Sequence, residues 1–330
     1  MTESKRWKEI DALYTIGIIL VLIGHSHSSD WSVLQGTALE RLIQFIYTFH
    51  MPLFYFVSGF LFQNSGALRA KGYRRWIGEK AIRLLTPYFF WSLLAAAPKY
   101  YLEHGSLDGL GAVIAAVFVN PRAGVWGHFW FLPVIFLTYA VFGLLRSAGK
   151  DDLKTSLCAL AAALLLYFLP IRSNLLGYSD LRASLLFFAV GVLVRRAWEG
   201  KSRTPLPKWG ALLGAALCLI ITGLCVVFTD AALNKPAAGL LTALLMLAVC
   251  WFAAEHMNLG SWFSEHNLTL YMFSWFFQSA AMVLCAGLSR HSTFLIMFFA
   301  GLCGPSAVIF LYQKLPFLHR RFIRILLGMR

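Results

Sequence analysis

Residues 10–27 read IDALYTIGIILVLIGHSH, an apolar run with a carboxylate, Asp11, near its start and an imidazole, His25, near its end. At 3.6 residues per turn, Tyr14, Ile18, Val21 and His25 share one helix face, and Asp11 lies close to it. A run this long and apolar reads as a membrane-crossing helix. An acid and a histidine inside such a helix are costly in lipid. They point to a protein interior or a wet cavity and mark a functional path.

The rest of the composition agrees. Of 330 residues, 59% are hydrophobic and 13% charged, whereas a soluble domain carries about 25% charged residues. The chain reads as an all-α, polytopic transmembrane bundle, a single domain over residues 1–330. Its formal charge of +14 is the positive-inside bias of a membrane protein; no motif of a nucleic-acid module accompanies it. All six cysteines lie in apolar stretches, with no CxxC pair and no metal spacing, so neither disulfides nor a metal site is expected. The basic start MTESKRWKEI leads into an h-region too long for a secretory signal and reads as a retained first span.

At about 20 residues per crossing, ten spans are expected, near 10–28, 42–63, 83–102, 128–146, 154–170, 182–198, 209–229, 236–254, 266–287 and 292–313. The stretch LDGLGAVIAAVFVN between the third and fourth is too short to cross and reads as a re-entrant or interfacial helix. With the N-terminus inside, inner segments hold 22 Lys and Arg and outer segments 7. That asymmetry supports ten spans and both termini in the cytoplasm; the expected location is the plasma (bacterial inner) membrane. The inner loop 255–265 is the exception, with Glu255 and Glu265 and no cation.

Several segments carry chemistry. The second span contains FHMPLFYFVSGF (49–60): His50 precedes Pro52, and Ser58-Gly59 permits a neighbouring helix to come close. Counting rise, His25 and His50 both fall in the outer half. Arg69, Lys71, Arg74 and Arg75 precede the third span, and Lys80 and Arg83 reach into its entry. Cations there suit a phosphate-bearing ligand arriving from inside. The fourth span opens with HFWFL (128–132), placing His128 and Trp130 at the outer interface. Ser274 and Gln278 put polar groups on one face of the ninth span, and the tail LHRRFIRILLGMR is basic and amphipathic.

In order, Asp11, GHS (24–26), FHMPLFYFVSGF (49–60), KAIRLLTPY (80–88), HFWFL (128–132) and NLTLYMFSW (267–275) resemble the integral-membrane acyltransferase family 3 along nearly the whole chain. Its length looks like that of the stand-alone members, including the fucose O-acetyltransferase-like group. The resemblance implies acetyl-CoA as donor from the cytoplasm and a hydroxyl of a surface carbohydrate as acceptor. It makes His25 the essential first-helix histidine, His50 the HMPLF histidine, Lys80 and Arg83 the basic pair opening the third helix, and His128 and Trp130 the HFWFL element. The expected site residues are then His25, His50 and Asp11 for catalysis, Lys80, Arg83, Arg74 and Arg75 for the donor, and His128, Trp130 and Ser58 for the acceptor. Two positions depart from the family pattern: Tyr14 stands where a basic residue is common, and Ser274 where histidine is.

Acyl transfer needs a base for the acceptor hydroxyl, and His25 is the expected base or acyl relay. Asp11 lies fourteen residues earlier, about 21 Å along the helix, and cannot orient it; a cation such as Arg83 is its expected partner. The alternative is a proton-coupled transporter or lipid-linked glycan flippase with His25 and His50 as relay groups. Membrane lipids and the carbohydrate acceptor are the expected partners, and no nucleic acid.

Overall fold

The computed structural model describes residues 7–27, 37–64, 66–149, 152–171, 173–198, 208–285 and 287–329. Of the cations used for topology, Lys5, Arg6, Lys150, Arg172, Lys201, Arg203 and Arg330 lie outside the described residues. All regular structure among the described residues is helical. Twelve helices of the described residues have ten residues or more: α1 (Lys8–His25), α2 (Ala38–Tyr47), α3 (His50–Asn64), α4 (Tyr73–His104), α5 (Leu110–Val119), α6 (Phe131–Ala148), α7 (Leu153–Phe168), α8 (Tyr178–Trp198), α9 (Lys208–Val227), α10 (Pro236–His256), α11 (Asn267–Leu284) and α12 (Arg290–Lys314). The chain forms two compact units, Met1–Val57 with Gly200–Pro316, and Ser58–Glu199 with Phe317–Arg330.

Among the described residues, six stretches are long and apolar enough to cross a membrane: Ala38–Gln63, Gly127–Ala148, Leu175–Trp198, Trp209–Val227, Pro236–His256 and Arg290–Lys314. The other four expected spans are helical but differ in composition or length. Helix α1 carries Lys8, Glu9 and Asp11 in its first turn, α4 is dense in Tyr and Trp and holds Pro87 and Pro98, α7 has 16 residues, and α11 carries Asn267, Thr269, Ser274 and Gln278. The short stretch before the fourth span is the ten-residue α5, and the tail forms a six-residue helix, Arg321–Leu326. Trp91 Nε1 donates to the Leu326 carbonyl at 2.8 Å and holds that tail.

In the first unit the polar helices are inside and the apolar ones outside. Only 6% of the most apolar 18-residue window of Trp209–Val227 is buried, against 72% of the corresponding window of Ala38–Gln63. Leu13, Ile18, Val21 and Leu22 of α1 are buried. Lipid is as apolar as leucine, so close packing and interhelical hydrogen bonds hold such helices together. Gly17 accordingly lies under the Phe54 ring, where a Cβ would stand 2.8 Å from Cζ. Gly304 lies against the Phe277 ring in the same way, at 2.1 Å.

The second unit is built on an aromatic cluster in which Phe62, Trp76, Tyr139, Phe142 and Phe188 meet at centroid separations of 4.5–6.3 Å. Gly59 makes the closest approach there. A Cβ on it would lie 2.0 Å from the Phe188 carbonyl oxygen of α8, so the Ser58-Gly59 step does admit a neighbouring helix.

Candidate active site

Pro52 decides the local geometry of the first histidine cluster. Without an N–H it cannot continue the helix from Thr48, and the 38–63 run breaks into α2 and α3. At the break Phe49 N turns back three residues to the Ile46 carbonyl, at 3.2 Å. The His50 ring satisfies that carbonyl too, with Nδ1 donating to Ile46 O at 2.9 Å. Donation from Nδ1 puts the lone pair of the neutral ring on Nε2. His50 is buried, and its ring lies 5.1 Å from that of Tyr47.

Tyr47 ties this break to the end of α1. Its hydroxyl donates to the Gly24 carbonyl at 2.8 Å and stands 3.4 Å from His27 Nε2. Gly24 makes room for it, since a Cβ there would meet Tyr47 Cε1 at 2.9 Å. His25, half-buried, turns its ring edge-on to Trp275 of α11 at 5.4 Å. The α1 terminus is wound tightly: Ser26 N bonds Ile23 O at 3.1 Å instead of Leu22 O. The Leu22 carbonyl takes Ser26 Oγ at 2.6 Å and Gln278 Nε2 at 3.0 Å, and Gln278 also donates to Ser26 Oγ at 3.0 Å. Gln278 and Ser26 are fully buried, and Gly301 of α12 leaves the space that the Gln278 side chain fills. His25, His27, His50 and Tyr47 therefore gather at one end of α1, with Trp275 and Gln278 bracing that end.

Asp11 sits at the other end of α1, buried, and its carboxylate accepts from Ser264 Oγ. Lys8 Nζ reaches the Glu255 carbonyl at 3.4 Å at the same end. Tyr14 is half-buried with its ring 6.3 Å from Phe54, and Ser274 is fully buried and donates to Tyr271 O at 3.2 Å.

In the second unit, the Lys80 ammonium lies 4.2 Å from the Tyr139 ring centroid and 5.6 Å from that of Trp76. Such faces stabilise a cation once water is removed. Arg83 is half-buried on the same helix, and Arg74 and Arg75 are exposed one turn or two earlier. Lys71 grips both oxygens of Glu79 at 2.9 and 2.7 Å, with Arg75 Nε at 3.8 Å. That hydrogen bond from Lys71 holds the Glu79 carboxyl below its ordinary range. Two cations not singled out from sequence join this end. Arg146 donates to the Phe62 and Gln63 carbonyls at 2.9–3.3 Å, and buried Arg195 lies over the Phe60 ring at 5.3 Å. A set of ammonium and guanidinium groups backed by aromatic faces fits the phosphates of a nucleotide thioester.

His128 and Trp130 stand on a single 3₁₀ turn, Gly127–Trp130, at the start of α6. His128 packs against Phe129 at 4.4 Å, and the Arg122 guanidinium covers Trp130 at 4.0 Å while forking onto Asp180 with two 2.7 Å bonds. Ser58 is buried within α3.

Residues 7–312 match the profile of an acyltransferase domain, Acyl_transf_3. The chain belongs to acyltransferase family 3. Within curated relatives, the nodulation protein NolL of Sinorhizobium fredii is 27% identical over 221 residues, covering 66% of this chain and 57% of that protein. NolL of Mesorhizobium japonicum is 27% identical over 180 residues, covering 54% and 45%. The chain thus matches about half the length of these relatives. No solved structure matches. The family match runs through both compact units and takes in the histidine cluster on α1–α3 and the cations of α4.

Proposed function

We propose that this chain is a membrane O-acyltransferase that moves an acetyl group from acetyl-CoA, entering from the cytoplasm, to a hydroxyl of a surface carbohydrate. The observation that carries the reading is the α1 terminus. There His25 is held edge-on to Trp275, on a turn fixed by Gln278, with His27, His50 and Tyr47 around it. Membership of acyltransferase family 3 supports the reaction class.

In this mechanism His25 takes the proton of the acceptor hydroxyl as its oxygen attacks the thioester carbonyl. The tetrahedral intermediate then collapses, the C–S bond breaks, and the imidazolium returns the proton to the leaving CoA sulfur. A placed base of this kind contributes about 10²–10⁴-fold. Lys80 and Arg83, with Arg74 and Arg75, hold the donor phosphates. Asp11 acts as an anchor of the opposite end of α1, through Ser264, and not as a partner of His25. His128, Trp130 and Ser58 serve the acceptor side.

The test is thiol release from acetyl-CoA by detergent-purified protein supplied with membrane-extracted glycans. His25→Ala is expected to abolish glycan-dependent release, by at least about 100-fold, while binding CoA as wild type does. A His25→Ala protein with full turnover would sink the mechanism.

A further inference from the structure

An open cleft of about 470 Å³ lies in the first unit, walled by Thr37, Glu40, Arg41 and Gln44 of the α2 entry and by Asp230. Its walls follow from the sequence TALERLIQ, in which Thr37 caps the helix, its Oγ1 accepting from Glu40 N at 3.1 Å, and Glu40 Oε1 accepts from Gln44 Nε2 at 3.0 Å. Helix α2 buries Ile43, Phe45 and Ile46 and keeps its polar residues on the other face.

The position of the cleft gives it a use. Glu40, Gln44 and Tyr47 fall at i, i+4 and i+7 and form one stripe. Seven residues rise about 10 Å, so the stripe starts in the cleft and ends at the Tyr47 hydroxyl on the Gly24 carbonyl, next to His25. The chemistry of the walls narrows the occupant. Two carboxylates face one guanidinium, which disfavours the phosphates of CoA. The remaining groups are the Thr37 hydroxyl and the Gln44 amide, which donates to Glu40 Oε1 at 3.0 Å, groups of the kind that exchange hydrogen bonds with a polyol. Arg41 and Asp230 stand 3.9 Å apart across the mouth, their side chains 63% and 74% exposed. A pair so exposed contributes little to stability and exchanges readily for ligand hydroxyls.

We propose that this cleft is an acceptor subsite that binds a neutral sugar residue next to the one acylated, feeding its neighbour along the α2 stripe to His25. The proposal rests on the acyltransferase reading above for its purpose, but its binding is read without turnover. The experiment is saturation-transfer NMR on the full-length, detergent-purified protein with methyl hexopyranosides and 1→4-linked disaccharides as probes. Disaccharides are expected to receive more saturation than monosaccharides. Gln44→Ala and Asp230→Asn are each expected to weaken that binding roughly tenfold, the effect of losing a hydrogen bond to a buried or charged group. Both variants should melt at the wild-type temperature. Absence of saturation on every sugar, or equal binding by wild type and both variants, overturns the subsite. Turnover retained by His25→Ala would instead remove the mechanism and leave the binding result standing.

Discussion

Glu79 keeps two cations of the α3–α4 connection occupied. Lys71 holds both carboxylate oxygens and Arg75 approaches from the next turn. Its carboxyl titrates below the ordinary range because of Lys71, so the clamp is intact above that lowered value and is lost as pH falls through it. Glu79→Gln removes the clamp at neutral pH. The expected result is a lower KM for acetyl-CoA, by a few-fold, with kcat unchanged, and a donor KM that no longer changes at acid pH; an unchanged KM would place these cations outside donor binding. At this scale the sequence was partly legible. His25 and His50 stood out because an imidazole in an apolar run is costly wherever it sits. His27 and Tyr47 carry no such signal, since a histidine at a helix end and a tyrosine within an apolar run have no fixed partner in the sequence. Their meeting depends on Gly24 admitting a ring and on Pro52 turning α3, which are tertiary facts. Arg146 and Arg195 were counted as topology charges, and only the aromatic cluster shows them turned inward.

Among elements, the pairing of α1 with α11 matters most for His25. Two fully buried polar side chains, Ser26 and Gln278, converge on the single Leu22 carbonyl. Interhelical hydrogen bonds in lipid contribute about 0.6–2 kcal/mol, enough to set the winding of one turn. Because both groups share one acceptor, their losses should not add. Gln278→Met, which keeps length but donates nothing, and Ser26→Ala are each expected to lower kcat on the order of tenfold by misplacing His25. The double variant should lose little more than either alone, and thermal unfolding in detergent should show a coupling of about 0.5–2 kcal/mol. Additive losses would mean that the two side chains act separately. Helix existence was legible here and helix character less so. Apolar length located each of the ten expected spans on a helix, yet α1, α4 and α11 carry the polar and aromatic residues that the core of a unit accepts and lipid does not.

At the scale of the whole molecule, side-assignment turns on loop 255–265, where the positive-inside count has nothing to work with. The first unit supplies the missing constraint. Ser264 bonds the Asp11 carboxylate and Lys8 reaches the Glu255 carbonyl, so this loop and the start of α1 lie at one end of the same unit. An even number of crossings must then separate residues 8 and 255. Five of the long apolar stretches fall between them. If all five cross, at least one polar or short helix crosses as well. Helix α1 alone makes six, and α1 with α4 and α7 makes eight, the number in the ten-span reading. Both counts keep loop 255–265 with the N-terminus on the cation-rich side. Single cysteines in a cysteine-free background separate the alternatives. At Arg69 and Asn258 they are expected to react with an impermeant maleimide only after the membrane is opened, and at Asp230 in intact cells. The informative residue for α4 is Leu107, exposed beyond its C-terminus. Labelling there in intact cells means that α4 crosses, and labelling only in opened membranes leaves α1 as the extra crossing. Labelling of Asn258 and Arg69 from opposite sides would break the parity and with it the placement of His25 in the outer half.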